Sequence, residues 1–282
     1  MKNRAAAIVI CKIIPKNFIS RFVGFAAGLN LPRFLMGIFI RRYSAHYGIK
    51  AEYIIPAGGF KSFDEFFTRK LAPGVRSVNR SKRVAVSPVD GRIDQYGDIR
   101  ESTLIQAKGI AYSLFDLIPS GTAKKFINGK FMTLYLSPAD YHRIHSPVSG
   151  MITGYFNIPG KLFTVQDCMV QGLPGLFVNN ERIVTYIQCA AGAVAVCKIG
   201  ALNVGKISLS YRDVRTNKLF RRRREFLFDE QERVPVTAGG EIGVFHLGST
   251  IILLFQKGSI AFNNFQLGDK IRMGDDIGSL KF

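Results

Sequence analysis

The stretch Phe245-His246-Leu247-Gly248-Ser249-Thr250 runs without a break into Ile251-Ile252-Leu253-Leu254-Phe255. An uninterrupted apolar run that opens with two isoleucines, just after a glycine, reads as a strand buried on both faces. Gly248 has no side chain, so the carbonyl preceding Ser249 is sterically open, and a small hydroxyl residue stands at the mouth of the strand. A serine so placed is suited to attack its own backbone. Taken alone, the tripeptide reads as a glycine turn into a core strand.

Outward from this strand, residues 75–282 alternate short β-branched runs with glycine turns: Val84-Ala85-Val86, Arg92 to Tyr96, Phe131 to Leu136, Ile183 to Ile187, Ala193 to Val196 and Lys206 to Ser210. Many short strands at this spacing predict an antiparallel sandwich or barrel rather than βαβ units. Helices are expected at three places in residues 62–147. Ser62 and Glu65 form a capping box, followed by Phe63, Phe66, Phe67 and Leu71 at helical spacing until Pro73-Gly74. A short helix is expected from Ser113 to Ile118. The third starts at Ser137-Pro138, with Asp140 three residues after the cap and Pro147 stopping it, which would set His142 and His145 on one side of a turn.

The chain of 282 residues carries a formal net charge of +19, which calls for an anionic partner, nucleic acid or an acidic membrane surface. The charge is unevenly placed. Asp and Glu are absent from residues 1–51, which carry Lys2, Arg4, Lys12, Lys16, Arg21, Arg33, Arg41, Arg42 and Lys50 among apolar runs. Lys12, Pro15 and Arg21 interrupt those runs below the ~18–20 apolar residues of a spanning helix. Basic amphipathic helices lying on a membrane account for both features, with an apolar face at the headgroup boundary and Lys and Arg toward anionic lipid. The same interruptions argue against a secretory signal; a mitochondrial transit peptide shares the Arg-rich, acid-poor character. Four cysteines, Cys11, Cys168, Cys189 and Cys197, show no C-x-x-C spacing, so neither a zinc site nor a disulfide framework is expected. The predicted architecture is α+β: basic amphipathic N-terminal helices in residues 1–74, packed on a β-rich domain of residues 75–282.

A serine nucleophile needs a base, and the histidines number four: His46, His142, His145 and His246. His46 sits in the basic N-terminal region. His246, three positions before Ser249, would point to the opposite side of an extended chain and reads as structural. His142 and His145, presented together, suit proton transfer near neutral pH. Pro88-Val89-Asp90-Gly91 is, taken alone, a common turn.

Leu247-Gly248-Ser249-Thr250 resembles the processing site of the pyruvoyl-dependent phosphatidylserine decarboxylases of the shorter bacterial type. The resemblance extends in order through Ser62 to Leu71, Pro88-Val89-Asp90-Gly91, Gln106-Ala107-Lys108-Gly109, Leu136 to Pro147 and Asn180-Glu181-Arg182. It implies that Asp90, His145 and Ser249 form the self-processing set, Asp90 orienting the histidine, with His142 in the substrate site. Cleavage between Gly248 and Ser249 would divide the chain into 1–248 and 249–282, which stay associated, and would convert Ser249 to a pyruvoyl cofactor. That group would take the substrate amine as a Schiff base and act as electron sink while carbon dioxide leaves, a histidine, by preference His145, returning the proton. The resemblance further implies phosphatidylserine in an anionic membrane as substrate and partner, a homodimer, no metal, no nucleic acid, and a peripheral position on the cytoplasmic face of a bacterial membrane.

Other classes fit less well. A serine hydrolase elbow, G-x-S-x-G, would need glycines where Leu247 and Ile251 stand. Nucleic-acid binding would use the +19 charge and the Arg221-Arg222-Arg223-Arg224 run beside Phe220 and Phe226, but has no use for an acid-free apolar N-terminus. That arginine run reads equally as a second membrane contact and as a solvated loop. A metal held by His142 and His145 lacks further ligand spacing. A pyruvoyl decarboxylase of a soluble amino acid differs in needing no lipid for activity.

Overall fold

The computed structural model describes residues 15–107, 110–202, 206–217, 222–247 and 250–282. Gly248 and Ser249 lie outside the described residues, as do the apolar run from Ala5, Lys108-Gly109 and Arg221.

Helices α1 (Lys16–Ala27) and α2 (Arg33–Tyr47) open the described chain, followed by the short α3 (Phe63–Phe67). Strands β1 (Val84–Val86), β2 (Gly91–Asp98), β3 (Thr103–Ala107) and β4 (Ile110–Ser113) precede α4 (Leu114–Leu117). Then come β5 (Lys130–Tyr135), β6 (Arg143–His145) and β7 (Gly150–Ile158), the short helices α5 (Asp167–Val170) and α6 (Leu176–Asn179), and the β8 (Arg182–Cys189) and β9 (Gly192–Ile199) hairpin. The remainder is strand: β10 (Lys206–Leu209), β11 (Arg224–Leu227), β12 (Val234–Val236), β13 (Glu241–His246), β14 (Thr250–Phe255), β15 (Ile260–Phe262), β16 (Lys270–Ile271) and β17 (Asp276–Leu280).

Among the described residues the largest sheet has nine strands in the order β11-β7-β8-β9-β14-β5-β2-β16, with β12 also on β7. Its path is open at β11 and β16, so the α+β fold contains a sandwich and no closed barrel. β14 is central, pairing antiparallel with β5 through Thr250↔Tyr135 and with β9 through Thr250↔Ile199. Every residue of β14 is buried, as its apolar run requires. On one face of this sheet lie Ile251 and Leu253, packed with Ile144 of β6, Ile207 of β10 and Phe245 of β13, which form a second sheet in the order β10-β13-β6. On the other face Ile252 and Leu254 pack against α4, α5 and α6.

The N-terminal helices surround a small core of their own, built by Met36, Ile40, Phe60 and Phe66. α3 has the expected cap, Ser62 Oγ accepting from Glu65 N at 3.2 Å, but ends at Phe67 rather than reaching Leu71. It stops because the following chain turns to bridge Leu71 with Tyr53, Ile54 N donating to Lys70 O at 2.9 Å. α1 is amphipathic in an unusual sense. Its polar Lys16 and Ser20 are the buried residues, Lys16 Nζ sitting 4.5 Å from the Phe163 ring, while Phe18, Phe22 and Phe25 are each more than 60% exposed. The expectation that the basic side chains of these helices meet lipid is therefore corrected for Lys16: it turns inward and the phenylalanines turn out. No described helix is long and apolar enough to cross a membrane.

Candidate active site

β13 and β14 converge on the predicted cleavage position. Leu247, directly after β13, has φ 85°, a left-handed conformation that costs a branched side chain ~1 kcal/mol or more. Thr250 opens β14 and is 1% exposed. The two residues bracket Gly248 and Ser249.

The expected helix carrying His142 and His145 is absent. Ser137 N donates to Asp140 Oδ2 at 2.6 Å and Asp140 N to Ser137 O at 3.0 Å, closing a tight turn, after which β6 runs through His145 in register with β13. The side chain predicted to help cap a helix instead ties off a turn, because strand pairing with β13 satisfies the backbone that follows. The two imidazoles therefore do not share a helical face, and each has its own environment.

His142 is fully buried, its ring centroid 4.0 Å from that of Phe67. Its Nδ1 lies 2.8 Å from Asp140 O, and since a carbonyl only accepts, Nδ1 carries the hydrogen. Nε2 is thus a bare lone pair, buried and without a hydrogen-bond partner among the described residues. Burial pushes the His142 pKa down to about 3, with the Arg69 charge adding to the effect, so the ring is neutral at pH 7. Phe245 N donates to His142 O at 2.9 Å, which fixes this residue beside the end of β13.

His145 is held differently. Its Nδ1 donates to Gly239 O at 2.7 Å, and its Nε2 accepts from the Tyr141 hydroxyl at 3.1 Å, the two rings stacked with 5.6 Å between centroids. Burial lowers the His145 pKa and raises that of the Tyr141 phenol, so base and donor both stay neutral. Sequence reasoning passed over Tyr141; its position four residues before His145 is the signal that was available.

Asp90 comes near His145 through the backbone, His145 N donating to Pro88 O at 2.9 Å. Its carboxylate is spent elsewhere: Oδ1 accepts from Met273 N at 2.7 Å and Oδ2 pairs with Arg76 Nη2 at 2.6 Å, while Arg76 Nη1 reaches Glu52 at 2.9 Å. The fold gathers Asp90 and His145 without joining their side chains. Asp90 and Tyr141 line one cavity of about 300 Å³, together with Arg69, Arg76, Asp140 and Lys270.

His246 is tied down on both nitrogens, Nδ1 lying 2.8 and 3.0 Å from the two Asp64 oxygens and Nε2 3.0 Å from Ser208 Oγ. The motifs around Gln106 and Asn180 to Arg182 brace loops. Gln106 Nε2 donates to Val170 O and Leu173 O, and Arg182 donates to the carbonyls of Leu117, Asp116, Val178 and Asn180. Cys168, Cys189 and Cys197 form no disulfide with one another, and no cluster of three or more His, Cys, Asp or Glu suited to a metal ion occurs among the described residues.

These features define an α+β protein in which His142 and His145 lie against β13, the strand that precedes the central buried strand β14 in the chain. Residues 63–279 match the family described as phosphatidylserine decarboxylase. Similar curated proteins include the phosphatidylserine decarboxylase proenzyme of Myxococcus xanthus, 38% identical with 98% of this chain and 99% of that protein covered. Those of Anaeromyxobacter, at 36% with 98% and 99% covered, and Brevibacillus brevis, at 37% with 95% and 95% covered, are similar over nearly their full length. The chain belongs to the phosphatidylserine decarboxylase family.

Proposed function

We propose that this chain is a proenzyme that cuts itself between Gly248 and Ser249 and then decarboxylates phosphatidylserine to phosphatidylethanolamine at a membrane surface. Membership of the family supplies the reaction; the observation that carries the site is the buried, neutral His142, whose orphaned Nε2 stands beside the end of β13. A buried acceptor without a partner costs ~1–3 kcal/mol. That cost fits a site that receives a hydrogen-bond donor, and the ammonium of the substrate serine is such a donor.

In self-processing, His145 Nε2 accepts the Ser249 hydroxyl proton, exchanging the Tyr141 hydroxyl for it, while Gly239 O holds the Nδ1 hydrogen and so the tautomer. Ser249 Oγ then bonds to the Gly248 carbonyl carbon, and the amide is exchanged for an ester. Elimination expels the Gly248 carboxylate, and water displaces the nitrogen of residue 249 as ammonia. Asp90 holds Arg76 and the Met273 amide at one end of the same cluster. The pyruvoyl group supplies the electron sink when carbon dioxide leaves. His142 Nε2 accepts a hydrogen bond from the substrate amine and holds it toward the site, and the return of a proton to carbon stays with His145, as the resemblance implies.

Membrane docking rests on α1 and α2. Phe18, Phe22, Phe25, Phe34, Ile38 and Phe39 are all exposed, an apolar surface of the kind that marks an interaction site, in a region without acidic residues before Glu52.

Intact mass under denaturing conditions tests the proposal. Two chains split at Gly248–Ser249, with the small one lighter by the conversion of serine to pyruvoyl, and a single uncut chain for Ser249→Ala, are expected. One uncut chain in both samples would overturn it.

A further inference from the structure

A second cavity, of about 260 Å³, lies between α1 and the end of β13, lined by Arg21, Gly24 and Phe25 of α1 together with Asp64, Lys206, Thr216, Asn217 and His246. It is just below the ~300–1,000 Å³ of pockets that engulf a whole small ligand, room for a headgroup and not for acyl chains. Its wall is braced. Lys206 is the strand partner of His246 across β10 and β13, Asn217 N donates to Glu181, and Arg21 Nε donates to Asn217 Oδ1 at 3.3 Å. Asn217 keeps a left-handed φ of 59° in this bracing, a conformation that asparagine tolerates better than most residues.

The electrostatics of the cavity are unbalanced. Asp64 is the carboxylate of the lining and is taken by His246, while neither Arg21 nor Lys206 has a carboxylate within ion-pair distance among the described residues. Arg21 and Lys206 thus face Asp64 as the one carboxylate of the lining, an excess of cations over carboxylates that suits an anionic phosphodiester. The cavity also joins two regions already described. Phe25, 67% exposed, is at once part of its lining and part of the outward apolar face of α1, and His246 stands two residues before Gly248.

We propose that this cavity is the phosphate subsite for the lipid headgroup, with Arg21 and Lys206 as its specificity-determining cations. It rests on the decarboxylase reading above. The headgroup phosphate sits between the two cations, the acyl chains leave along Phe25 and Phe22 toward the bilayer, and the serine moiety extends along the end of β13 at His246. Arginine offers several parallel donors and lysine a point charge, the pairing expected for an anion held at one end of a longer ligand.

Calorimetric binding of soluble glycerophosphoserine, glycerophosphoethanolamine and inorganic phosphate to the full-length Ser249→Ala chain tests this. Being uncut by design, that chain binds or does not bind whether or not the wild type processes itself, so the outcome stands apart from the mass comparison. Both glycerophospho headgroups are expected to bind, more tightly than inorganic phosphate. Arg21→Gln or Lys206→Gln should weaken both about tenfold, the size of one charge-assisted hydrogen bond. Lys206→Arg should restore binding, and Arg42→Gln, exposed on α2, should leave it unchanged. Undiminished binding in both glutamine variants overturns the proposal, as does binding of glycerophosphoserine alone, which would make the cavity a carboxylate site. Inorganic phosphate binding as tightly as the headgroups would make it a free-anion site and overturns it too. Unchanged far-UV circular dichroism separates these outcomes from misfolding.

Discussion

His145 and Tyr141 show how a single hydrogen bond sets the working range of a base. Burial disfavours the charged ring and a hydroxyl donor on Nε2 favours the neutral one, while the Gly239 carbonyl on Nδ1 pulls the other way without reversing the shift. A base works above its pKa, and this pKa is lowered, so self-cleavage should persist below the ordinary histidine range near pH ~6.5 and be lost only as pH falls through the lowered value. Tyr141→Phe removes the donor that favours the neutral form. It should move the acidic limb of the cleavage-rate profile to higher pH and slow cleavage at pH 6 more than at pH 8. Quenched time courses analysed by mass across pH 5 to 8 measure this, and an unmoved limb would detach Tyr141 from the base. The His142–His145 pair was legible as chemistry from residue type, but its local geometry was not. A Ser-Pro-x-Asp start can cap a helix or tie a turn, and only pairing with β13, nearly a hundred residues on, decides between them.

At the scale of elements, α1 is the informative case. Phe18, Phe22 and Phe25 recur at helical spacing, a pattern that alone signals a core-facing stripe. Here the stripe is outside, and Lys16 and Ser20 face the protein, with Asn17 Nδ2 donating to Gly160 O at 3.2 Å. Each exposed phenylalanine buries ~1.5–3 kcal/mol of apolar surface on entering a membrane interface. Phe22→Ser with Phe18→Ser should therefore weaken sedimentation with phosphatidylglycerol vesicles by tenfold or more. Cleavage should proceed unchanged, because neither side chain touches the cluster around His145. Unaltered vesicle binding would locate the docking surface elsewhere. The acid-free composition led to the expectation of a membrane-facing region. Which face of the helix turned outward depended on the surface it met around Phe163 and Asn217.

For the molecule as a whole, the proposed cut between Gly248 and Ser249 falls in a consequential place. The piece beginning at residue 249 contains β14, the centre of the largest sheet, hydrogen-bonded along its length to β5 and β9 and buried throughout. Burial of Ile251 to Phe255 alone is worth on the order of 10 kcal/mol, and β17 adds pairing with β1. The two pieces should thus comigrate as one species in native mass spectrometry and separate only in denaturant; loss of the small piece under native conditions would contradict this packing.

By itself the sequence determined what is local or compositional: the buried strand from Thr250 to Phe255, the α+β division between an acid-free apolar N-terminus and a strand-rich remainder, and the residue types that resemble the decarboxylase site. These follow from periodicity, charge and spacing, which neighbouring residues carry among themselves. Only the tertiary structure decided that Asp90 holds Arg76 and the Met273 amide while Tyr141 attends His145, that His142 keeps an open nitrogen, and that Arg21 and Lys206 meet over one cavity. Partners such as Asp90 and Met273, or Arg21 and Asn217, lie more than 180 residues apart. The physical reason is that a hydrogen bond is awarded by proximity after folding, and strand register sets that proximity.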